Sequence, residues 1–116
     1  MKKYVPSLEI CKRLKDVGFP QMHTLYYWGL AGRLGWQIEN RNYAMGRWSI
    51  DKIIAAPFVD DIFAYLYSQG KHDFWIYHNA GNYQIQSGQH DMQWEGVSLA
   101  EAAAVMLLDL KEKVLI

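Results

Sequence analysis

A single cysteine, Cys11, in a chain of 116 residues excludes an internal disulfide framework. It falls on the apolar side of an expected helix, where it reads as a small buried hydrophobe and not as a reactive thiol. Charge of one sign is lacking too. Twelve basic and twelve acidic side chains balance to a formal net charge of zero, which argues against a general nucleic-acid coat and against an anionic-membrane binder. No apolar run approaches the roughly 18 residues of a membrane span, and Met1-Lys2-Lys3 leads into a helix instead of a signal-peptide apolar region. The expectation is a soluble, cytoplasmic protein with one domain over residues 1–116, large enough to bury a core without metal or disulfide staples.

Motifs for chemistry are equally scarce. There is no His-Glu-x-x-His and no Cys-x-x-Cys, and His23, His72, His78 and His90 form no ligand spacing, so neither a metal nor a cofactor is expected. The glycines at 29, 32 and 35 lack the Gly-Lys-Ser/Thr ending of a phosphate loop, and no helix pattern follows them. A hairpin connection is the better reading. Asp60 and Asp61 suit a helix N-terminus through its dipole. His90, Asp91 and Glu95 are the one cluster of plausible acid/base types, in a polar connection where such residues are common by chance.

What the chain does have is aromatic side chains, 15% of it, with five Trp and eight Tyr. That is more than a small core easily hides, so some are expected at a protein interface or a ligand surface. The clearest structural signal is Asp73 to Ser87, DFWIYHNAGNYQIQS, which reads as a β-hairpin turning at Asn79-Ala80-Gly81-Asn82. A two-residue and a four-residue loop compete, because Ala80 resists positive φ, but both give one register. Phe74, Ile76 and His78 then face Ser87, Ile85 and Tyr83 on a core face, while Trp75 and Tyr77 lie opposite Gln86 and Gln84 on the other.

Around this hairpin, Ser7 caps a helix running to about Val17 and ended by Gly18. Thr24 to Trp28 reads as a strand and a second starts at Trp36; Glu39 to Arg47 reads as a polar loop. Trp48 to Ile54 fits either a short strand or a helical turn. Ala56-Pro57 opens a helix to about Tyr67, with proline in its first turn. Gly88 to Gly96 reads as a polar connection, and a Ser98/Glu101 capping box begins a last helix whose first turns are apolar nearly all round. The order is αββαββα, suggesting two αββ units offset by about 52 residues. The expected fold class is α+β: a small antiparallel sheet built from two hairpins and covered on one side by three helices.

The run Val5 to Gln21 (VPSLEICKRLKDVGFPQ), the aromatic strand ending in Trp28, the Ala56-Pro57 helix start and the Ala-rich last helix together resemble a family of small hypothetical proteins encoded by bacteriophages, prophages and gut bacteria. The resemblance implies a fold and a mobile-element setting. It carries over no functional residue.

Three functions are expected in descending order. The first is a non-catalytic interaction module binding itself, as a homodimer, or another protein, through strand edges or the aromatic face of Trp75, Tyr77, Gln84 and Gln86. Next is a single-stranded nucleic-acid binder, with Trp75 and Tyr77 stacking on bases and Lys12, Arg13, Lys15, Arg33 or Arg41 on phosphates. A small enzyme using His90, Asp91 and Glu95 comes last.

Overall fold

The computed structural model describes residues 2–116 and bears out the α+β class. In chain order the elements are α1 (Leu8–Asp16), β1 (Tyr26–Leu30), β2 (Trp36–Asn40), α2 (Arg41–Arg47), β3 (Ile53–Ala56), α3 (Val59–Ser68), β4 (Phe74–Asn79), β5 (Asn82–Ser87), β6 (Met92–Gly96) and α4 (Leu99–Glu112). Each expected hairpin gains a third strand, and the two stand in separate antiparallel sheets, ordered β2-β1-β3 and β4-β5-β6.

The helix ends follow from side-chain chemistry. Ser7 Oγ accepts from Ile10 N at 3.4 Å to start α1, which closes at Gly18 (φ 93°), with Phe19 N donating to Leu14 O at 2.9 Å and Gly18 N to Lys15 O at 3.1 Å. This pair of bonds satisfies carbonyls that a helix end leaves open. Gly70 ends α3 in the same way, with Lys71 N donating to Leu66 O. At the start of α3 the Asp61 carboxylate accepts from Phe58 N at 2.9 Å, so Pro57 stands just before the cap and not inside the first turn. Ser98 Oγ caps α4 by accepting from Glu101 N. The expected return bond of the capping box is replaced: Glu101 Oε2 accepts instead from Ser7 N at 3.1 Å, tying the starts of α4 and α1 together.

The main core lies around α4. Ala102, Ala103, Ala104, Met106, Leu107 and Leu110 are fully buried, with Leu14 of α1, Ile62 and Leu66 of α3, Ile85 of β5 and Trp94 of β6. Gly96 at the end of β6 lies so close to the start of α4 that a Cβ on it would sit 2.5 Å from Ala102 N. The first sheet is covered on both faces. Trp28, Ile54 and Ala56 meet Val5 and Cys11 on one side, and Tyr27, Ile53 and Ala55 meet Ala44, Met45 and Trp48 on the other. Trp48 lies so close over Gly29 that a Cβ there would fall 2.4 Å from its ring.

Several expectations need correcting. Glu39 to Arg47 is not a loop but the end of β2 followed by α2, which Asn40 caps by accepting from Tyr43 N at 3.0 Å. The connection Gly88 to Gly96 contains β6, paired to β5 with Trp94 opposite Ile85. Within Trp48 to Ile54 the ambiguity resolves into a 3₁₀ turn, Ile50–Lys52, leading into β3. The two αββ units do not repeat: the first sheet centres on its first strand and the second on its middle one.

Candidate interaction surface on the second sheet

The β4–β5 register is the one expected, with Trp75 opposite Gln86, Ile76 opposite Ile85, Tyr77 opposite Gln84 and His78 opposite Tyr83. The connection is the two-residue one. Asn79 pairs with Asn82, and Ala80 (φ 52°) and Gly81 (φ 82°) supply the two left-handed residues that such a turn demands.

Side chains alternate across the pleat, so β6 extends the outer face by Gln93 and Glu95. Two rows cross the sheet. One runs Trp75, Gln86, Gln93, with Gln86 Nε2 donating to Gln93 Oε1 at 3.3 Å; the other runs Tyr77, Gln84, Glu95, with Gln84 Nε2 donating to Glu95 Oε1 at 3.4 Å. The amides and carboxylate thus bond one another, while the rings are left bare at 50% exposure for Trp75 and 49% for Tyr77. Among the described residues no helix covers this face. Trp75 is braced from beneath, because Gly88 lets the indole lie where a Cβ would come within 2.9 Å of it.

The inner face departs from expectation on β4. Phe74 packs on the core and against Phe63, with ring centroids 5.7 Å apart, but Ile76 is 48% exposed and His78 is also exposed. The reason is lateral: α4 lies over β5 and β6, so β4 overhangs the layer that seals Ile85. His78 stacks on Tyr83 at 4.3 Å and 10° in place of a hydrogen-bonded buried site. Beside Ile76, an open groove of about 380 Å³ runs along α3, lined by Asp60, Phe63, Ala64 and Tyr67.

The edge of β4 is open in a second sense. Gly88 N donates to Asp73 O at 3.1 Å and the turn closes at Asn79 and Asn82, so the pairs exchanging hydrogen bonds are 73 with 88, 75 with 86, 77 with 84 and 79 with 82. The N–H and C=O groups of Phe74, Ile76 and His78 therefore point away from β5. Edges elsewhere are guarded. On β3, Lys15 Nζ donates to Ile53 O at 3.1 Å and Ala55 N donates to Gln21 Oε1 at 2.8 Å. β2 carries Glu39 and β6 carries Glu95, whereas Phe74 to Asn79 has no Asp, Glu, Lys, Arg or Pro.

The other candidate residues are dispersed. Glu95 is engaged by Gln84 on the outer face, His90 N donates to Ser87 Oγ at 3.3 Å, and Asp91 holds a left-handed turn position at φ 51°. Among the described residues no hydrogen bond joins His90, Asp91 and Glu95, and no three His, Cys, Asp or Glu side chains gather where a metal ion would be held. Lys12, Arg13 and Lys15 are on α1, Arg33 in the β1–β2 connection and Arg41 at the start of α2, all off the face of Trp75 and Tyr77. Lys12 lies over the Trp36 ring at 5.3 Å. Among the described residues no helix is long and apolar enough to cross a membrane.

β6 was the contributor that composition hid, although Met92, Trp94 and Gly96 alternate with Gln93 and Glu95 at the strand period. No protein-family model matches the chain, and no curated protein or solved structure does either.

Proposed function

We propose that the chain is a non-catalytic protein-interaction module, of the kind a bacteriophage or mobile element encodes, that associates with itself through the aromatic face and free edge of its second sheet. One observation carries the reading: Trp75, Ile76 and Tyr77, consecutive in β4, are each about half exposed, so both faces of one edge strand are apolar and open. Water-exposed aromatic and aliphatic surface of this kind gains free energy when a partner covers it. The bonded glutamines and Glu95 beside the rings present a polar rim suited to a protein partner.

Single-stranded nucleic acid is the weaker reading, because the outer face carries Glu95 and no cation to neutralise a phosphate. Sedimentation over a wide concentration series tests the proposal. Mass rising toward a dimer, and falling back when Trp75→Ala and Tyr77→Ala are combined, supports it. A monomer at every concentration, or oligonucleotide binding at low salt that the same pair of substitutions abolishes, overturns it.

A further inference from the structure

We infer that two copies of this chain join edge to edge through β4, antiparallel, about a two-fold axis at Ile76, making one continuous six-stranded sheet. The inference rests on the self-association reading and specifies its geometry. In antiparallel pairing, residues whose N–H and C=O face the partner exchange both bonds. On β4 these are Phe74, Ile76 and His78, so a two-fold at Ile76 pairs 74 with 78, 76 with 76 and 78 with 74, for about six backbone hydrogen bonds.

The strand fixes this register by its own limits. Asp73 breaks the extended conformation at φ 77°, and Ala80 breaks it at φ 52°. A shift of two positions either way pushes the pairing into one of those breaks and loses a bonded pair. In the centred register, side chains opposite each other are also compatible. Trp75 of each copy faces Tyr77 of the other on the outer face, and Ile76 faces Ile76 on the inner one, beside the groove along α3. With no charged side chain from Phe74 to Asn79, the two-fold brings no like charges together. A contact through one edge strand is smaller than a standard specific interface, so the dimer is expected to be concentration-dependent.

The test uses the full chain. Ile76→Pro removes an N–H that the β4–β5 ladder does not use, and Ile76→Lys places a charge on the axis; each is expected to weaken dimerisation more than about tenfold with an unchanged far-UV spectrum. In a Cys11→Ala background, Ile76→Cys places two Cα atoms about 5.5 Å apart, within disulfide reach, whereas His78→Cys places its copies about 14 Å apart. Oxidation is expected to link the first and not the second. If Ile76→Pro and Ile76→Lys both still dimerise and Ile76→Cys does not link, the edge geometry is overturned while self-association stands. If the wild type never dimerises, both fall.

Discussion

The indole N–H of Trp94 in β6 donates to Oδ2 of Asp109 in α4 at 2.8 Å, and Lys113 Nζ meets the same oxygen at 2.9 Å. The bond spans 15 residues of sequence and fixes the last strand against the helix that covers it. It also holds the Asp109 carboxyl below its usual range, the indole being the largest cause and Lys113 a lesser one.

Asp109→Asn is therefore expected to lose about 1 kcal/mol at neutral pH, at the modest end for a charge-assisted bond because the carboxylate is partly wet. Asp109 has a depressed pKa in the folded state. Its contribution is thus present above the unfolded value of about 3.9 and is lost as pH falls through the folded one. Urea unfolding of both chains at neutral and acid pH should show the difference shrinking with acid.

Burial pushes the Cys11 thiol up to about 12, with the Trp28 indole pulling slightly the other way. Native protein should then resist thiol reagents at mildly alkaline pH and react on unfolding. Because the neutral thiol is the folded form, its contribution to stability is complete below the unfolded value of about 8.5 and is lost as pH rises toward 12. A stability difference between wild type and Cys11→Ala that narrows over that alkaline span would show it.

Gly29→Ala places a methyl where the Trp48 ring sits, at 2.4 Å. Overpacking of this sort costs about 1–3 kcal/mol, and displacement of Trp48 from the Tyr27 and Ala44 layer should change the near-ultraviolet dichroism.

Besides Asp73 and Asp91, whose residue type tolerates the left-handed region, two residues occupy glycine's conformational territory at a cost. Ala80 (φ 52°) is in the β4–β5 turn, and Val114 (φ 56°) follows α4 at the position that Gly18 and Gly70 hold after α1 and α3. Left-handed backbone costs a residue with a Cβ about 1–2 kcal/mol, partly offset by the entropy glycine loses on folding. Ala80→Gly and Val114→Gly should each raise stability by about 0.5–1 kcal/mol, read from denaturation midpoints.

Where the sequence was legible, a local rule and a tertiary need agreed. Ser7, Gly18, Ser98 and the alternation from Phe74 to Ser87 each mark an element that the core then buries. Polar composition concealed α2, whose one plain signal was Asn40 as its cap, and β6, where Trp94 is the one buried residue and polar Gln93 and Glu95 flank it. The outer position of Trp75 and Tyr77 was readable from the pleat. The exposure of Ile76 was not, because it depends on how far α4 reaches across the sheet, and no period in β4 records that.

α4 is made after every element that packs on it. Until it emerges, Ile85 and Trp94 lack the helix that seals them, and a sheet of this size does not persist bare. The nascent chain therefore passes through an interval in which the apolar inner residues of β4 to β6 are open together with the bare rings of Trp75 and Tyr77, and crowding of growing chains on one message would favour mispairing in that interval. Slowing synthesis ahead of residue 99 should lengthen this vulnerable stage and increase insoluble product, whereas faster delivery of the final helix should protect it.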